Sequence, residues 1–163
     1  MRHFCFALLI SIAGLGAASS ARAGDATHEP MSAVAAAEKL EACADLRKGQ
    51  NLNRCLGQIS DVCLAKARDN GAQVQCHGRE RDAWAALMDK QIKLVATQLD
   101  DDQKKAFEES QAAFIDYRNK SCSFIAAYVD GSMAYPWVAA CEAAETARRA
   151  QALMKLVSYN SQR

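Results

Sequence analysis

The residues best equipped to do chemistry are seven cysteines: Cys5, Cys43, Cys55, Cys63, Cys76, Cys122 and Cys141. Cysteine can serve as a nucleophile, a metal ligand or half of a disulfide. Cys5 lies in a segment that reads as a cleaved export signal, which leaves six. An even set in a short exported chain fits a disulfide framework. A zinc site from Cys63, Cys76 and His77 would lack the close Cys-x₂₋₄-Cys pair of zinc ribbons. Cys76-His77 also lacks the upstream cysteine of a Cys-x-x-Cys-His haem site. The expectation is therefore three bridges, with no metal and no cofactor.

Other catalytic sets are equally thin. Beyond the export segment only His28 and His77 remain, and His28 sits in a polar leader. A Ser-His-Asp or Cys-His arrangement would need His77 beside a nucleophile, while the cysteines are committed to bridges. There is no Gly-x-Ser-x-Gly, phosphate-cradling glycine loop or His-Glu-x-x-His. The acids fall mostly on expected solvent faces, not in a glycosidase-like carboxylate pair. These residues point to a binding protein, not an enzyme.

The export expectation rests on residues 1–23. Arg2 and His3 open the chain, Phe4 to Ala18 is mostly apolar, and Ser-Ser-Ala-Arg-Ala follows at 19–23. Ala21 and Ala23 suit a signal-peptidase cut before Gly24. The apolar run is short for a bilayer span, and no cysteine follows the cut to carry a lipid. Periplasm or medium is the expected destination, with no membrane anchor after cleavage. Removing Arg2 and Arg22 from 20 basic residues leaves 18 against 19 acids, a net charge near −1. That balance offers no footprint for nucleic acid.

Behind these residues stand helices. Alanine is abundant, while Gly and Pro number 8 and 2, which disfavours a many-stranded sandwich. The spacing predicts an all-α fold of antiparallel helical hairpins. Pro30 can open a first helix that runs from Met31 and stops at Gly49. A second spans Leu52 to Arg68, ended by Asn70-Gly71. From about Gly78, the residues Trp84, Leu87, Met88, Gln91, Leu94, Val95 and Gln98 share one helical face. Asp100 to Asp102 break that helix, and an aspartate there suits the cap of the next. The next helix runs from about Gln103 to Tyr128. Its inward stripe is Phe107, Gln111, Phe114, Tyr117, Ser121, Ile125 and Tyr128. A loop over 129–136 leads to a last helix, from near Trp137 toward Leu156. The domain reading is an extension over 24–61 and a helical domain over 62–163.

Six cysteines allow fifteen pairings, and geometry narrows them. Cys55 and Cys63 on one helix would lie about 12 Å apart at the rise of an α-helix. A disulfide needs Cα atoms within roughly 7 Å. Local pairing across turns gives Cys43–Cys55, Cys63–Cys76 and Cys122–Cys141.

The stretch Ser110 to Phe124, SQAAFIDYRNKSCSF, followed by Asp130-Gly131-Ser132 and Cys141, resembles the LprI-type lysozyme-inhibitor family. That family's pattern is Gln-x-x-Trp/Phe-x-x-Tyr-Arg-x-x-x-Cys, a Gly-Gly-Ser loop and a second cysteine. Cys63 to Cys76 and an amphipathic helix over 79–99 occupy the upstream places. The likeness covers roughly residues 63–156. Asp130 replaces the first glycine of the loop.

The resemblance implies a protein that binds and inhibits lysozyme; the alternative is a non-inhibitory periplasmic adaptor or envelope-stress protein that binds another protein of the cell envelope. A cleft enzyme is blocked by a rigid surface that fills it. Asp130, Ser132, Tyr135 and Trp137 form the candidate contact segment, since aromatics are frequent anchors and a flanking disulfide limits ordering cost. Trp137 reads more readily as a seal on the bundle end, while for Tyr135 both roles stand. Tyr117 and Arg118 are the family-like pair. Arg118 is expected to pair with Glu142 or Glu145, and Tyr117 to pack inward.

Overall fold

A computed structural model describes residues 31–46 and 52–161. The export segment and the turn at Gly49 lie outside the described residues. Five α-helices follow in order: α1 (Ala33–Leu46), α2 (Asp61–Leu64), α3 (Asn70–Ala96), α4 (Asp101–Tyr128) and α5 (Ala134–Asn160). Short 3₁₀ turns at Leu52–Cys55 and Gly131–Met133 precede α2 and α5. No strand occurs among the described residues, as the composition predicts.

Alanines decide how the long helices meet. On α5, Ala139, Ala143, Ala147 and Ala150 recur at helical spacing and are all buried. Small side chains there let α5 lie close against α3, which supplies Trp84, Leu87 and Met88 to the same core. On its other flank α3 receives Ala36, Ala37 and Leu40 of α1. The α1, α3 and α5 helices thus share one apolar core. α4 packs mainly on α5, and its only buried residue is Cys122.

The three disulfides pair as the turns predict. Cys43–Cys55, Cys63–Cys76 and Cys122–Cys141 have Cα separations of 6.0, 5.5 and 5.6 Å. They tie α1 to the 52–55 turn, α2 to α3, and α4 to α5.

Between the first two bridges lies a buried charge. Glu80 of α3 is 3 % exposed. Its Oε1 accepts hydrogen bonds from Gly57 N at 3.0 Å and Trp84 Nε1 at 2.8 Å. Its Oε2 accepts from Ile59 N at 2.8 Å and Ser60 N at 2.9 Å. A carboxylate leaves water without penalty only when such donors replace its solvation. Gly57 permits the bend: its φ is +84°, and a Cβ there would lie 2.6 Å from the Asp61 carboxylate.

Three expectations need correction. Residues 52–68 do not form one helix, because the backbone N–H groups of Gly57, Ile59 and Ser60 donate to Glu80 instead of running up a helical ladder. Asn70-Gly71 starts a helix and does not end one, since Asp69 Oδ1 caps it by accepting from Ala72 N at 2.8 Å. α3 therefore begins eight residues before Gly78. Likewise Trp137 lies in the first turn of α5, where buried Pro136 is tolerated because first-turn N–H groups need no helical acceptor.

The aspartate cap is Asp100, whose side chain accepts from Gln103 N at 2.8 Å while Gln103 Oε1 accepts from Asp100 N at 3.0 Å. Asp100→Ala is expected to cost about 1 kcal/mol in urea unfolding. Asp102→Ala should leave stability nearly unchanged. Glu80→Ala, which strands buried donors, should cost roughly 3–5 kcal/mol by the same measurement.

Candidate partner-binding site

The segment after α4 turns sharply. Gly131 adopts φ +75°, a left-handed conformation that suits glycine. Asp130 has φ −73° and ψ 148°, open to any residue. Replacing the first glycine of the family loop by Asp130 thus carries no backbone strain. Ser132 Oγ accepts from Asn70 Nδ2 at 3.0 Å, tethering the turn to the start of α3. Ser132 thereby acts as a strap between elements.

A groove of about 610 Å³ runs between the first half of α3 and the start of α5. Val74, Gly78, Val138 and Ala139 give it apolar walls, and Ala126 of α4 and Tyr135 contribute to its lining. Arg81 crosses it as a polar strap. Its Nη1 donates to Glu142 Oε2 at 3.0 Å, and its Nη2 to Asp82 Oδ1 at 2.8 Å. The hydrogen bond to Asp82, with Glu142 behind it, holds the Arg81 pKa above its ordinary value despite partial burial.

Two aromatics near the start of α5 face solvent. Tyr135 is 67 % exposed and Trp137 56 % exposed, so neither seals the bundle. Phe124 and Tyr128 join them at the end of α4, stacked with centroids 5.9 Å apart. The inward role expected for Tyr128 is therefore wrong, and so is that for Tyr117, which is 55 % exposed. The seam of α4 drifts, at 3.6 residues per turn, through Phe114, Arg118, Cys122 and Ile125. Tyr117, Phe124 and Tyr128 lie to one side of it. Phe124, Tyr128 and Met133 were not among the expected contact residues. The signal for them was their i, i+4 or loop position off the seam.

Among the described residues, Arg118 has no acid partner. Glu142 is taken by Arg81 and Glu145 by Arg148, so neither expected pairing forms. Arg118 Nη1 donates to Thr146 Oγ1 at 3.2 Å, and its guanidinium carbon lies 5.9 Å from the Phe114 centroid. Arg149 of α5 reaches the same ring at 5.7 Å and donates through Nε to Gln111 Oε1 at 2.6 Å. Gln111, Phe114, Arg118 and Cys122 thus form the α4–α5 seam.

The family model described as Lysozyme inhibitor LprI matches residues 63–153. The chain belongs to this family. Neither curated proteins nor solved structures give a match. The family is described as one of inhibitors, not of enzymes. The match covers α3 to most of α5, hence both walls of the groove and the whole α4–α5 seam. Among the described residues, no cluster of three His, Cys, Asp or Glu is arranged to hold a metal, and no helix is long and apolar enough to cross a membrane.

His77 lies on α3 next to Cys76. Burial lowers its pKa from 6.5, against an upward pull from Glu80 and Asp61. The folded protein thus binds this proton less readily than the unfolded chain. Its contribution to stability is complete above pH 6.5 and is lost as pH falls below that value through the folded pKa. His77→Gln should flatten the loss of urea midpoint on acidification through this window, relative to wild type.

Proposed function

We propose that this chain is an exported periplasmic protein that binds lysozyme and blocks its cleft with the Asp130–Trp137 segment. Membership of an inhibitor family supports the target class. The observation that carries the site is the exposure of Tyr135, which lines an apolar groove, and of Trp137 two residues on. Large amphipathic rings held out by a rigid frame are effective anchors, because little side-chain freedom is lost on contact. The frame is supplied on one side by Cys122–Cys141 and on the other by the Asn70–Ser132 hydrogen bond. The export reading draws on the signal-like residues 1–23 and on three disulfides suited to an oxidising compartment. Residues 24–61 serve as an extension, of which α1 and residues 57–60 brace α3.

The mature protein, titrated into cell-wall lysis assays, should inhibit at least one of c-type, g-type and i-type lysozymes. Tyr135→Ala with Trp137→Ala should raise the inhibition constant roughly tenfold or more. Far-UV circular dichroism should show helix content unchanged. Inhibition unaltered by the double variant would move the contact elsewhere. Absence of inhibition in every class would assign the surface to a different envelope protein.

A further inference from the structure

Most charged side chains are either solvated or matched. Arg81 is half-buried and pairs with two carboxylates, and Arg148 pairs with Glu145. Arg118 and Arg149 differ. Both are half-buried, and neither has a carboxylate within ion-pair distance among the described residues. Their partners are neutral: Thr146 and Asn119 for Arg118, Ser110 and Gln111 for Arg149.

The two guanidiniums also approach the same ring. Each lies within 6 Å of the one Phe114 ring, at 5.9 and 5.7 Å. Arg118 Nε is buried without an acceptor. Burial alone shifts the Arg149 pKa, and it shifts it downward, as expected of a cation without a counter-ion. Hydrogen bonds donated to the neutral oxygens of Gln111 and Thr146 fix the guanidiniums in place without cancelling their charge. Such a preset pair favours planar anions, because guanidinium donors match carboxylate oxygens in geometry.

We propose that Arg118 and Arg149, set around Phe114 on the α4–α5 seam, form a binding site for carboxylates carried by acidic side chains of a protein partner. The site is separate from the aromatic segment: Phe114 and Tyr128 are 14 positions apart on α4, about 21 Å along a helix. It stands whether or not lysozyme is the target.

The test follows the arginine Nε–Hε signals of the whole exported chain by NMR at fixed ionic strength. The probes are a capped tetraglutamate peptide and inorganic phosphate. The expected result is a saturable shift of the Arg118 and Arg149 signals with the peptide, while the already paired Arg81 and Arg148 signals stay in place. Arg118→Gln with Arg149→Gln should weaken peptide binding roughly tenfold or more, the scale of a lost charge-assisted contact. Should that variant fail to fold, the wild-type titration alone decides. No saturable shift would overturn the proposal and leave the arginines as packing for Phe114. Tighter binding of phosphate than of peptide would overturn the carboxylate assignment.

Discussion

The structure depends on one buried carboxylate. Glu80 collects three backbone N–H groups from residues 57–60 and the indole N–H of Trp84, itself fully buried. A charge in that position is unstable without all its donors, so it dictates the path of the loop that supplies them. The loop is then bracketed by Cys55, bonded to α1, and Cys63, bonded to α3. Residues 55–63 are attached to α3 through this knot, and α1 reaches α3 directly through Ala36, Ala37 and Leu40. The same stretch of α3 carries Gly78, Arg81 and Asp82 into the groove. Fixing one side of α3 therefore fixes the wall that a partner would meet on the other.

The helix interfaces divide by chemistry. α3 meets α5 through alanines, Leu87 and Leu153, a dry contact whose strength is apolar area and close approach. α4 meets α5 through a disulfide, two arginines, Gln111 and Thr146. A polar seam buries little, so α4 keeps Tyr117, Phe124 and Tyr128 outside. The covalent bridge at Cys122 compensates for the thin apolar contact and holds the helix where packing alone would hold it weakly.

Much of this was legible in the residues. Cysteine pairing was, because each pair flanks a turn and the helical rise forbids Cys55–Cys63 on one helix. The long helices were, because Trp84, Leu87, Met88, Gln91 and Val95 keep a strict period and are all buried. Asn70-Gly71 misled because its dipeptide signals a turn, whereas Asp69 before it supplies a cap that only the folded backbone reveals. The α4 stripe was drawn one position off, since Phe107, Gln111 and Phe114 fit two continuations equally well. Arg118 over Phe114 selects the one that excludes Tyr117. Glu80 gave no signal: a lone acid on a helix reads as solvated until its donors, 20 to 23 residues earlier, come into contact.

These placements separate what the family pattern encodes from what it leaves open. Gln111, Phe114, Arg118 and Cys122 join α4 to α5, and Gly131 makes the left-handed turn between them. Those pattern residues specify the scaffold. Tyr117 is the pattern residue that faces solvent, and it lies on the side of α4 that also presents Phe124 and Tyr128. Tyr135 and Trp137 lie outside the pattern altogether. A chain can therefore keep the whole pattern, and with it the hairpin and its bridge, while its exposed rings change. In this architecture the pattern builds the hairpin on which rings outside the pattern stand exposed.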